Sequence, residues 1–202
     1  DINNQSNYAG GTTFQVGEMS IKGIKISNKN NASGTFNVTI TGVESKSGVK
    51  QIKVPVWSKE DHSDLYWYEA KKQTDGTYTV QADIKNHQYN YGKYYVDTYG
   101  VTQNGIEKFL GGTTVVLNVP TAVIKATANK DESQYNIAID NLGLAGGIKD
   151  VKVAVWSQIG GQDDLAWYAA SNIGSGSWKT TVEIARHKTI GTYYADVYAT
   201  NS

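Results

Sequence analysis

The chain has 202 residues, with 19 basic and 19 acidic side chains, two prolines and no cysteine, which excludes disulfides, thiol nucleophiles and thiolate metal sites together. At 39% hydrophobic and 19% charged it is apolar enough for packed cores, and the even charge balance (12 basic against 11 acidic through residue 118, 7 against 8 beyond it) leaves no basic field to hold a phosphate backbone, so nucleic acid is excluded as a partner. No apolar run approaches the roughly 20 residues that span a bilayer, and nothing at the N-terminus reads as a signal peptide or lipidation site, so no membrane partner is expected. Eighteen Val, 16 Ile, 19 Thr and 14 Tyr against six Leu and one Met predict an all-β chain. In chain order, a Gly-Gly-Thr-Thr strand over 8–16 comes first, then strands near 20–27, 35–43, 49–57, 64–71, 77–84, 93–102 and 106–117. Asp75-Gly76 and Gly174-Ser175-Gly176 mark turns, and Asn104-Gly105 marks a hairpin that returns 106–117 alongside 94–102.

The same order then repeats. At an offset of 99 to 100 residues Val54-Pro55-Val56-Trp57-Ser58 matches Val153-Ala154-Val155-Trp156-Ser157, and Asp64-Leu65-Tyr66-Trp67-Tyr68 matches Asp164-Leu165-Ala166-Trp167-Tyr168. Ile84 to His87 matches Ile184 to His187, and Gly92-Lys93-Tyr94-Tyr95-Val96-Asp97 matches Gly191-Thr192-Tyr193-Tyr194-Ala195-Asp196. A period of that length is a domain, not a solenoid repeat. A third echo aligns Tyr8 to Val16 with Phe109 to Leu117, which points to a piece of a longer array. With the hairpin setting the phase, residues 1–17 carry the strand of a preceding unit, 18–118 form one unit and 119–202 a second that lacks its last strand. The other phase, with the Gly-Gly-Thr-Thr strand first in each unit, makes two complete domains.

Seven short strands per unit predict two tandem immunoglobulin-like β-sandwich domains. Alternation places Ile52, Val54, Val56 and Val151, Val153, Val155 in the cores and turns Trp57 and Trp156 the other way. Tyr94 and Tyr193 fit a tyrosine corner, so Tyr95, Asp97, Tyr99 and Tyr194, Asp196, Tyr198 face outward.

These segments resemble the Bsp-like repeat of group B and other streptococci, closely in the first unit and more weakly in the second, where Ala154 replaces the Pro and Arg186 the Asn before His. The resemblance implies an extracellular immunoglobulin-like module at the cell wall or cell surface, found in arrays in streptococcal surface proteins and beside catalytic domains in secreted peptidoglycan hydrolases (autolysins), and it brings no catalytic residue and no cofactor.

Glycoside hydrolysis needs two carboxyls about 5 to 10 Å apart across a cleft; of the candidates Asp61, His62 and Asp64, or Asp163 and Asp164, Asp61 and His62 have no counterpart in the second unit except Asp163, and adjacent residues on a strand point to opposite faces. A Ser58, His87, Asp97 triad lacks a nucleophile elbow, and Asp61, His62 and Asp64 lack the calcium-loop pattern, so neither catalysis nor metal binding is expected. His87 and His187 read as structural, and Asp64 as a turn cap. The aromatic residues carry more: Trp and Tyr offer flat faces to the C–H faces of sugars while carboxylates reach hydroxyls. Trp57, Tyr68, Tyr95, Asp97, Tyr99 and their counterparts Trp156, Tyr168, Tyr194, Asp196, Tyr198 are the glycan-binding candidates, whereas Trp67 and Trp167, in phase with Leu65 and Leu165, are expected inside. The expected partner is bacterial cell-wall polysaccharide or peptidoglycan. A rigid spacer is the alternative, as is protein adhesion or strand-exchange self-association at the free edge of the second unit.

Overall fold

A computed structural model describes residues 6, 8–14, 16–187 and 189–202. Strands form where apolar side chains alternate. The first unit runs β1 (Met19–Ser20), β2 (Gly23–Asn30), β3 (Thr35–Thr41), β4 (Glu44–Ser45), β5 (Val49–Trp57), β6 (Tyr66–Glu69), β7 (Lys71–Lys72), β8 (Tyr78–Asp83), β9 (Gly92–Thr102) and β10 (Glu107–Leu117). The second runs β11 (Val123–Ala128), β12 (Gln134–Asp140), β13 (Ile148–Ser157), β14 (Ala166–Gly174), β15 (Ser177–Glu183) and β16 (Tyr193–Asn201). The described residues include no α-helix.

In the first unit two antiparallel sheets, β2-β3-β8-β7 and β10-β9-β5-β6, face each other, with the short β1-β4 ladder beside them. Phe36, Val38 and Ile40 from one sheet meet Ile52, Val54, Val56, Tyr94 and Val96 from the other, all fully buried. Burying side chains of this size contributes about 1.5–3 kcal/mol each, and the period-two pattern is what lets one face collect them. This is an immunoglobulin-like sandwich. The chain passes from one sheet to the other at Ala70, between β6 and β7; in the second unit the same crossing is one continuous strand, β14, paired with β13 by Ala166–Ala170 and with β15 by Ser171–Gly174. That continuity joins the second unit's strands in the order β11-β12-β15-β14-β13-β16.

The hairpin at Asn104-Gly105 forms as expected, Gly105 taking φ +84, and returns β10 along β9. β10 closes the core with Val115 and Leu117, both buried. Among the described residues β16 is paired with β13 alone, and its inward residues Tyr193, Ala195, Val197 and Ala199 are only half-buried where Tyr94, Val96 and Thr98 are sealed. The strand expected within residues 1–17 is corrected for 8–14, 16 and 17, which lie in no strand; residues 1–5, 7 and 15 are outside those described. An isolated strand is not stable without a ladder to join.

Contacts join the units. Tyr91 Oη accepts from the Ala145 amide at 3.0 Å, and Ala145 itself packs into the first unit's core.

Candidate functional site

The outer face of sheet β10-β9-β5-β6 is set by register. Residues directly opposite each other share a face, so Trp57 lies beside Tyr95, and Pro55 beside Trp67. The rings make two clusters. Trp57 stacks on Tyr95 at 5.5 Å and 15°, with His62 edge-on at 4.9 Å and the Lys93 ammonium 4.7 Å over Tyr95. Four residues along, about 13 Å at strand rise, Trp67, Tyr99 and Phe109 pack in a row at 5.6 and 5.4 Å. Asp97 sits between the clusters. Desolvation raises its carboxyl above the ordinary value, with His62 acting in the opposite direction. A Cβ on Gly112 would run into Asp97 Oδ1, so this glycine makes the room the carboxylate occupies.

The second unit repeats the arrangement. Trp156 stacks on Tyr194 at 5.5 Å and 30°, and Trp167 packs on Tyr198 at 5.1 Å. Asp196 is exposed, because no strand in the position of β10 covers it. A shallow hollow of about 330 Å³ beside Trp67, lined also by Gln51, Lys53 and Glu69, recurs as one of about 400 Å³ between Trp167, Lys152 and Ala169. Each presents an indole face beside a lysine, Lys53 being ion-paired with Glu107 at 2.6 Å.

Two expectations are corrected. Tyr68 and Tyr168, expected among the ligand residues, are buried, and Trp67 and Trp167, expected in the core, are 48% and 50% exposed. Tyr68 pairs with Val54 on the core face and Trp67 with Pro55 on the outer face. The sequence could not have fixed the sign, because both parities of Leu65-Tyr66-Trp67-Tyr68 are apolar. Phe109, Lys53 and Lys152 were also missed; their only signal was cross-strand register, which a single strand does not carry.

Behind the face lies a structural network. The His87 Nδ1–H donates to the Asp64 carbonyl at 2.8 Å, so in the neutral ring Nε2 accepts from the Tyr68 hydroxyl at 3.0 Å. The Tyr68 oxygen also accepts from the Asp83 amide and the Asn86 side chain. Burial, the largest influence, holds the His87 imidazole below its ordinary value, partly opposed by the Asp64 carbonyl. Desolvation acts to raise the Asp64 carboxyl, but hydrogen bonds from the Ser58 hydroxyl, the Ser58 and Lys59 amides and Asn90 outweigh it and leave the group below its ordinary value. His187, Tyr168 and Asp164 repeat the core of this network, with Thr189 in place of Asn90. Tyr94 Oη donates to the Asn90 carbonyl at 2.6 Å and Tyr193 Oη to Thr189 at 2.8 Å, the geometry of a tyrosine corner. Ser58, His87 and Asp97 do not meet: Ser58 is bound to Asp64, His87 to the core, and Asp97 faces outward. Among the described residues no three His, Asp or Glu side chains converge to hold a metal ion.

Fold and face together define a tandem immunoglobulin-like repeat with an aromatic outer sheet in each copy. The model of the GBS Bsp-like repeat matches residues 25–115 and again 125–202, and the chain belongs to that family. No curated protein matches it. Similar solved structures include a tetra-tandem repeat from the extending region of a large adhesion protein (14% identity, TM-score 0.40, 92% of this chain and 49% of that one). A polysaccharide deacetylase from Bacillus cereus (14% identity, TM-score 0.40, 56% and 32%) and the Group B Streptococcus pullulanase (11% identity, TM-score 0.36, 89% and 22%) are also similar. The chain spans less than half of each of these, and likenesses at such TM-scores define neither fold nor function. No helix among the described residues is long and apolar enough to cross a membrane.

Proposed function

We propose that this tandem repeat region is a noncatalytic wall-binding segment of a streptococcal surface protein or peptidoglycan hydrolase, working outside the cell. Its outer sheets would lie against peptidoglycan or wall glycan. The observation that carries this reading is the recurrence, at matching positions in both units, of a stacked Trp–Tyr pair, a second exposed Trp–Tyr pair and a Trp–Lys hollow. Core packing needs none of these rings outside, and stacking on sugar faces needs them there. A site of about 1 mM is worth only about 4 kcal/mol, but tethering two to one polymer multiplies avidity by about 10²–10⁴, so shallow sites suffice. The purified chain should sediment with streptococcal cell walls. Trp57→Ala, Trp67→Ala, Trp156→Ala and Trp167→Ala together should abolish this while the melting transition remains cooperative. Failure of the unaltered chain to pellet with walls from any streptococcal source would overturn the reading.

A rigid-spacer reading is favoured by one observation, the contacts of Ala145 with Tyr91 and with the first unit's core. Exchanging one unit for an unrelated sandwich of equal length preserves function if the units only set distance, and reduces wall retention if they bind.

A further inference from the structure

The outer sheet of each unit carries the same small notch. In the first, Pro55 lies opposite Trp67 on one side, and the ladder that sets Lys53 on Tyr99 and Val56 on Val96 places it opposite Asp97 on the other. In the second, Ala154 lies opposite both Trp167 and Asp196. An exposed indole and a carboxylate therefore stand two strand spacings apart, about 10 Å, over a floor residue that has no side-chain donor. Trp57, stacked on Tyr95, closes one end of the notch, and Tyr99, packed on Trp67, closes the other. The second unit sets Trp156 on Tyr194 and Trp167 on Tyr198 in the same places. The copies differ nearby, with Ala154 for Pro55, Ala169 for Glu69 and Thr192 for Lys93, yet both keep the indoles, the phenols and the carboxylate.

The carboxylate of the first notch is unmatched. Asp97 is half-buried, and among the described residues it joins no ion pair and accepts no hydrogen bond. Its cross-strand neighbours are Gly112 and Pro55, and neither has a side-chain donor. The two lysines of the face are held elsewhere: the Lys53 ammonium is 2.6 Å from Glu107, and that of Lys93 lies over the Tyr95 ring. His62 is the one charged group that favours the ionised carboxyl, and desolvation outweighs it. A desolvated carboxylate without a partner is costly, and a cation matches it best, because charge-assisted hydrogen bonds are about twice as strong as neutral ones and aromatic faces attract positive charge. A sugar hydroxyl supplies only a neutral donor. Lys93 over Tyr95 is an ammonium that the rings of this face already hold.

We infer that each notch is a subsite for a primary ammonium group carried by the wall polymer, on an amino sugar or on an aminoacyl ester. Asp97 or Asp196 pairs with the charge, and Trp67 with Tyr99, or Trp167 with Tyr198, takes the carbon frame beside it. This rests on the wall-binding reading and narrows it, since a fully N-acetylated glycan carries no such charge. Gly112 is part of the device, because a side chain there would push the Asp97 carboxylate out of its place between the rings.

The tryptophan fluorescence of the full chain should respond to glucosamine or to alanine methyl ester over about 1–100 mM, the range of a shallow site, and about tenfold more weakly or less to N-acetylglucosamine. A response to glucosamine alone assigns the amine to a sugar, and one to alanine methyl ester alone assigns it to an ester. Asp97→Asn with Asp196→Asn should abolish the response without lowering the urea midpoint, and Gly112→Ala, which keeps the charge but displaces it, should remove the first unit's share. An equal response to N-acetylglucosamine, no response to either amine, or a full response from the double Asn variant would overturn the inference. With streptococcal walls, acetylating the free amines should cut retention of the unaltered chain by about tenfold or more. Retention that acetylation leaves unchanged would overturn the ammonium subsite while wall binding stands; amines that bind a chain no wall retains would leave the subsite standing and remove the wall reading.

Discussion

Thr98 faces the core from the middle of β9, wholly buried, and its hydroxyl has no hydrogen-bond partner. An unpaired buried hydroxyl costs about 1–3 kcal/mol, and the second unit carries Val197 at the matching position. Thr98→Val should therefore stabilise the first unit by about 1 kcal/mol or more, read as a higher urea midpoint at unchanged slope. His87 gives the opposite lesson, since its neutral ring satisfies the Asp64 carbonyl and the Tyr68 hydroxyl, and protonation would place a charge in the core. Its native pKa lies below the unfolded value of 6.5, so the unfolded chain takes up protons first. Stability from this group is complete above that pH and is lost as pH falls from there toward the native value. Unfolding midpoints should decline as the pH falls below about 6.5, and His87→Gln should flatten that slope while lowering the plateau.

At the scale of elements, β10 and β16 show what one strand does to its neighbours. Leu117 is fully buried at the end of β10, and Leu117→Ala should cost about 2–5 kcal/mol by leaving a cavity in a closed core. Val197→Ala in β16 should cost well under half of that, because its side chain is only half-buried. Comparing the two midpoints by denaturant titration tests whether the second core is open in solution. β6 teaches a different point. As an edge strand with apolar residues on both parities it has no sequence feature that sets its orientation, and pairing with β5 is what turns Trp67 outward and Tyr68 in.

For the whole molecule, the proposed wall binding makes the number of faces matter more than the strength of either. If both outer sheets engage one polymer, Trp156→Ala with Trp167→Ala should cut wall retention by about 10²-fold or more although one complete site remains; a loss of only about twofold in a wall-binding titration would mean the units act independently. The duplication itself was plain in the chain, as were the all-β class, the two-sheet body, the hairpin at Asn104-Gly105 and the inward Tyr94 and Tyr193, because each depends on local pattern or on a segment repeated at a fixed spacing. Trp57, Tyr95, Asp97 and Tyr99 reached the outer face as alternation required. What only the tertiary structure decided was which side of β6 and β14 meets solvent, how Phe109 and the lysines join the aromatic rows, and that the second core stands open beside β16. Alternation along a strand fixes parity but not sign, and the sign is set by the neighbour across the ladder, which lies far away in the chain.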